Sequence, residues 1–169
     1  MGSARTGAPV VSFCRISDRE IRLREPVLAP DCLIVQDVTL FRSVDVFQGL
    51  KDNGYLLVNS SKTFEQLHIE PAAARLRPGR ALIVPASELA QRHVGRPLPN
   101  AALLGAFAAL TGLVSIDHVA EAIREFFSGK VGEANVAAAR AAFDAARGER
   151  ETGSGGIDAQ ADRRFAGDG

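Results

Sequence analysis

The sequence predicts an α/β fold: a three-layer domain on a parallel sheet, with a helical C-terminal half. Three observations carry that reading. Short apolar runs recur at Cys32-Leu33-Ile34-Val35, Tyr55-Leu56-Leu57-Val58 and Ala81-Leu82-Ile83-Val84. They are continuous rather than alternating, as expected for strands covered on both faces. The segment between the first two carries helical spacing, so strand, helix and strand form a βαβ unit with a right-handed crossover. From Asn100 onward the apolar groups recur at helical period and no further strand-like run follows.

The elements follow in order. Gly2 to Ala8 is a small-residue loop whose only charge is Arg5, and Pro9 fixes the approach to a strand-like run, Val10-Val11-Ser12-Phe13-Cys14-Arg15-Ile16. The next strand is Cys32 to Asp37. Leu40, Val44, Phe47 and Leu50 then share one helical face, and Asp52-Asn53-Gly54 stops that helix before the Tyr55 strand. Residues 62–76 read as one or two short helical turns, and Arg77-Pro78-Gly79 is a turn into the Ala81 strand.

The run Ala101 to Leu110 is apolar on every side, the mark of a helix buried in protein. Ile116, Val119, Ala120, Ile123, Phe126 and Phe127 form the next stripe, behind Ser115 as N-cap and ended by Gly129. Val136, Ala139, Phe143 and Ala146 mark a last, alanine-rich helix. Residues 1–150 therefore read as one domain, and residues 151–169, poor in apolar groups, as a disordered tail.

Composition narrows the function. The 169 residues carry 20 basic and 20 acidic side chains, without the basic field that nucleic acid or an anionic membrane requires. The longest apolar run falls short of the roughly 20 residues of a membrane span. No secretory pattern opens the sequence, so a cytoplasmic protein is expected. Cys14 and Cys32 lack Cys-x-x-Cys spacing and read as inert core thiols. Two thiols cannot hold an iron–sulfur cluster, which takes about four.

His68, His93 and His118 show no metal-binding spacing, and no serine or cysteine has a recognisable base beside it. Gly167-Asp168-Gly169 spells the opening of a thiamine-diphosphate motif, but no downstream ligands follow. No catalytic or metal-ligating residue is assigned.

Binding is another matter. Ligands of open parallel sheets collect beyond the carboxyl ends of the strands. There the sequence places Asp37, then Asn59-Ser60-Ser61, then Ser87. These can form a rim for the polar part of a cofactor, or can simply end strands and start helices, Ser87 as an N-cap. Asn100 stands where an N-cap of the buried helix belongs. Arg5, Thr6 and Gly7 offer a guanidinium and close backbone N–H groups, suited to a phosphate or carboxylate; an exposed interface arginine is the alternative.

Two runs are more specific. Ala4-Arg5-Thr6-Gly7-Ala8-Pro9-Val10 through Arg15-Ile16-Ser17-Asp18-Arg19-Glu20-Ile21, together with Pro97-Leu98-Pro99-Asn100-Ala101-Ala102-Leu103-Leu104-Gly105-Ala106, resemble the gamma subunit or domain of the 2-oxoacid:ferredoxin oxidoreductases. The resemblance extends over roughly residues 2–147. It implies coenzyme A-dependent oxidative decarboxylation of a 2-oxoacid such as pyruvate. Thiamine diphosphate, Mg and iron–sulfur clusters would belong to partner subunits, and ferredoxin would dock through those partners. The gamma portion is associated with coenzyme A access and assembly, which makes Arg5, Thr6, Gly7, Asp37, Asn59, Ser60 and Asn100 the candidate cofactor-binding residues. The glycine-rich loop that the family carries upstream of the first run is not found here, so an N-terminally truncated gamma domain is expected. A purely structural assembly subunit is the alternative.

Overall fold

A computed structural model describes residues 9–152. Three parallel strands, β1 (Cys32–Val35), β2 (Tyr55–Asn59) and β3 (Ala81–Val84), lie side by side in chain order. In register, Cys32 pairs with Tyr55 and Val35 with Val58, while Leu57 pairs with Leu82. The apolar runs place each strand within two residues of the predicted bounds.

The sheet is covered on both faces. Because side chains alternate along a strand, Leu56 and Val58 point to one side and Leu57 to the other. Below, Leu33, Val35, Leu56, Val58 and Ile83 pack on two short helices, α1 (Phe64–Leu67) and α2 (Glu70–Ala74), through Phe64, Ile69 and Ala73. Above, Leu57, Leu82 and Val84 meet α3 (Ala86–Val94), α4 (Asn100–Thr111) and α6 (Gly129–Thr152). A third cluster joins α4 and α6 to α5 (Ile116–Phe126) through Val119, Ala120, Ile123, Val136 and Ala139. Each fully buried leucine, such as Leu56, Leu57 or Leu82, contributes on the order of 2 kcal/mol.

Helix α4 is the pivot, apolar all round because it touches sheet and helices at once. Ala102, Leu103 and Ala106 face the sheet side, and Ala101 and Ala108 face α5 and α6. Gly105 lies so close to α6 that a Cβ there would stand 1.9 Å from the Ala139 carbonyl oxygen. Ala138, Ala139, Ala142 and Ala146 complete this small-residue seam.

Several expectations are corrected. Val10–Ile16 forms no strand; it is exposed and outside the sheet. At the edge strand β1 the upper cover is incomplete, since Ile34 remains 38% exposed. The predicted helix through Leu40, Val44, Phe47 and Leu50 is instead a 3-10 turn, Val38–Arg42, followed by further turns. Ser43 and Asp45 explain this: their side chains bond local backbone at Leu40 and Phe47 and compete with helical hydrogen bonds. The apolar spacing still buries Leu50 and stacks Phe41 on Phe47 at 5.5 Å. Gly129 does not end α5, which closes at Phe127; with φ of 60° it opens α6. Helix α6 reaches Thr152, so it runs two residues into the segment expected to be a tail; residues 153–169 lie outside the described residues.

The cysteines also part ways. Cys14 is exposed, against the expectation of a core thiol, because its segment never joins the sheet. Cys32 is largely buried, and that burial, with Asp31 adding to it, pushes its thiol up to about 11. Iodoacetamide at mildly alkaline pH is therefore expected to label Cys14 about tenfold faster than Cys32 or more, a ratio that peptide mass spectrometry reads directly.

Candidate functional site

The carboxyl ends of the three strands converge, as the topology requires, and Asn59 ties them together. As the last residue of β2 it reaches both ways. Its amide donates to the Gln36 carbonyl just past β1 at 2.9 Å and to Ser87 Oγ on α3 at 2.8 Å. Its carbonyl oxygen accepts from the Ser87 N–H at 3.0 Å. Ser60 continues the seam, its N–H bonding the Val84 carbonyl at 3.0 Å and its hydroxyl accepting from the Lys62 N–H.

Asp37 serves the turn beneath β1. One carboxylate oxygen accepts from the Thr39 N–H at 2.9 Å and from its hydroxyl at 2.7 Å. The Thr39 hydroxyl, and then its N–H, hold this carboxyl below the usual carboxylate range. It is ionised at neutral pH and so presents negative charge at the rim.

Asp37, Asn59, Ser60 and Ser87 thus lie at the strand ends; Asp37 starts the 3-10 turn, as the alternative reading had it, while the pairing of Asn59 with Ser87 was not read from the sequence. Ser87 is not an N-cap; α3 begins one residue earlier with Pro85 in the cap position, and Ser87 works as the counterpart of Asn59. Asn100 is the first residue of α4 rather than its cap: Pro99 takes the cap position, no side-chain cap bond forms, and Asn100 is exposed. Arg5, Thr6 and Gly7 lie outside the described residues.

Beside Ser87 runs a shallow groove of about 370 Å³, lined by Ser87, Glu88, Gln91, Arg92 and Pro97. Sequence reading missed it. The only signal was Glu88 and Arg92 four apart on one helix, a spacing shared by most solvated helices. Among the described residues no cluster of three or more His, Cys, Asp or Glu can hold a metal ion, and no helix is long and apolar enough to cross a membrane.

Coenzyme A would bring phosphates, and two of the rim residues, Asn59 and Asp37, do not fit them. Asn59 has both polar atoms committed to Gln36 and Ser87, and Asp37 offers a carboxylate that repels an anion, whereas the Ser60 hydroxyl accepts from the Lys62 N–H and keeps its own proton to donate. Asn59 and Asp37 serve to close the strand ends.

Comparison with known proteins then decides the family. Residues 1–145 match the family described as pyruvate ferredoxin/flavodoxin oxidoreductase. The chain belongs to that family. Within it, the chain is of the gamma type. It is 43% identical over 143 residues to the pyruvate/ketoisovalerate oxidoreductases common subunit gamma of Thermococcus kodakarensis, covering 85% of this chain and 76% of that one. It is 42% identical over 143 residues to the pyruvate synthase subunit PorC of Methanothermobacter marburgensis, at 85% and 75% coverage. The crystal structure of pyruvate oxidoreductase subunit PORC from Thermotoga maritima superposes with a TM-score of 0.59 at 31% identity. That match covers 70% of this chain and 64% of the Thermotoga chain, a little under two thirds of its length. A pyruvate ferredoxin/flavodoxin oxidoreductase gamma chain thus carries the parallel sheet and the α4–α6 seam described above.

Proposed function

We propose that this chain is the gamma-type subunit of a heteromeric 2-oxoacid:ferredoxin oxidoreductase that oxidatively decarboxylates a 2-oxoacid such as pyruvate in a coenzyme A-dependent reaction. Its own contribution is assembly and access for coenzyme A, while partner subunits hold thiamine diphosphate, Mg and the iron–sulfur clusters and meet ferredoxin. The observation that carries this reading is 43% identity over 143 residues to a common gamma subunit. A cytoplasmic location accords with such an enzyme.

The test is affinity capture of the tagged chain from its native cells. Partner subunits recovered with it, and 2-oxoacid-dependent, coenzyme A-dependent reduction of a viologen dye in the captured material, are expected. A chain recovered alone and without that activity contradicts the reading.

Because Asn59 is committed to its own hydrogen bonds and Asp37 is negatively charged, coenzyme A contact is assigned to the Arg5-Thr6-Gly7 loop, with Ser60 and Asn100 as the further candidates. Arg5→Ala in the assembled enzyme is expected to weaken apparent coenzyme A affinity by roughly ten- to a hundredfold, the loss of one charge-assisted contact of about 1.5–3 kcal/mol. Apparent oxoacid affinity should stay unchanged. Coenzyme A dependence unaltered in a normally assembled variant favours the second reading, a purely structural assembly subunit, which the self-satisfied Asn59 also supports.

A further inference from the structure

Helix α5 buries three of its eleven residues, Val119, Ala120 and Ile123, against α4 and α6. The surface it covers is small: Ala101 and Ala108 on α4, Val136 and Ala139 on α6, with Phe143 partly buried beside them. Most of that surface is methyl groups, so little apolar area would return to water if α5 left. The seam beneath holds without it. Helices α4 and α6 join each other, α3 and the sheet through Leu57, Leu82, Leu103, Leu110 and Ala142, none of which belongs to the α5 cluster.

The chain around α5 is suited to turning. Gly112 lies just before the helix at φ of 66° and Gly129 just after it at 60°, left-handed conformations with open space where a Cβ would stand. An exposed ion pair fastens each end to α6. Asp117 in the first turn meets Arg140 at 2.7 Å, and Arg124 in the last turn meets Glu133 at 2.7 Å. Exposed pairs of this kind hold weakly.

We propose that α5 is a latch: it opens as its own unit about Gly112 and Gly129, off an α4–α6 seam that stays closed, with the two ion pairs as its clasps. Opening bares Ala101, Ala108, Val136 and Ala139 as an apolar strip and leaves the sheet and the strand-end rim in place. This device belongs to the domain itself and does not rest on the subunit reading above.

Hydrogen exchange of the full chain, read by peptide mass spectrometry, tests it. Amides from Val119 to Phe127 should exchange about tenfold faster than those of α4 or more. Their rates should stay nearly flat in urea too dilute to unfold the chain, because latch opening exposes little surface, while α4 rates climb. Leu82→Ala, which weakens the core shared by sheet, α4 and α6, should speed α4 exchange about thirtyfold or more and leave α5 exchange unchanged. Asp117→Asn combined with Glu133→Gln should speed α5 exchange about twofold or more.

An α5 as slow as α4, or one that speeds up in step with α4 in urea or in Leu82→Ala, shows that it opens only with the whole domain and overturns the proposal. Should Leu82→Ala fail to fold, the urea series on the wild-type chain decides by itself. Unchanged α5 exchange in the double variant overturns the clasps.

Discussion

Gly105→Ala is expected to destabilise the isolated chain more than any other single-methyl change in its core. The added Cβ would stand 1.9 Å from the Ala139 carbonyl oxygen, 2.6 Å from its carbon and 2.9 Å from its Cα. These are backbone atoms, so no rotamer change relieves the contact and α4 must move off α6. That motion loosens Ala102, Leu103, Ala106 and Leu110 against Ala138, Ala142 and Ala146, the larger part of the upper core.

Overpacking costs about 3 kcal/mol at the upper end of its usual range. The better helix propensity of alanine returns about 1 kcal/mol. A net loss of about 2 kcal/mol or more should lower the melting temperature by roughly 4–8 °C in a domain of this size. Gly148→Ala on α6 is the control: its Cβ meets nothing within 4 Å, so propensity alone should act and stability should rise by up to about 1 kcal/mol. Equal effects from the two substitutions would show that the α4–α6 seam is looser than described.

Asn59→Ala should come next. It deletes three hydrogen bonds at once and strands the Gln36 carbonyl and the Ser87 N–H and hydroxyl at the rim. At about 0.5–1.5 kcal/mol each, the loss is roughly 2–4 kcal/mol. Asn59→Asp separates the donors from the acceptor. A carboxylate still accepts from Ser87 but repels the Gln36 carbonyl, whereas a protonated carboxyl can donate to it, so the native fold raises the pKa of the new group above its unfolded value. A raised folded pKa gives stability that is present at low pH and lost as pH rises through that value. The penalty of Asn59→Asp should therefore shrink as pH falls from about 6 to 4, while that of Asn59→Ala stays flat. Denaturant midpoints across that range measure both.

What could be read from the sequence follows a physical divide. The three strands were legible because each is a continuous apolar run bounded by turn chemistry, and α4 because an all-apolar helix has nowhere to lie but inside. The Leu40–Leu50 helix failed because apolar spacing reports burial, not hydrogen bonding; Leu50 is buried as the spacing predicts, yet Ser43 and Asp45 capture local backbone. Val10–Ile16 reads as a strand from its residues alone, but a strand also needs a neighbour, and no strand of this chain pairs with it among the described residues.

At the rim, Asp37 as a helix start was legible and the partners of Asn59 and Ser87 were not. Topology locates Asp37, Asn59 and Ser87 at the strand ends, but their bonds to Thr39, Gln36 and each other depend on register, which spacing does not encode. The close approach of Gly105 to Ala139 is likewise invisible in sequence, since a glycine in an apolar helix is as readily a tolerated defect as a contact point.

The central claim is that the chain acts through a complex, and reconstitution tests it most directly. The remaining subunits of the enzyme, purified without this chain, are titrated with it while 2-oxoacid-dependent, coenzyme A-dependent viologen reduction is followed. Activity is expected to rise from a low baseline and saturate at a fixed molar ratio, with the chain inactive by itself. Full activity before any is added, unchanged by its addition, would contradict the account.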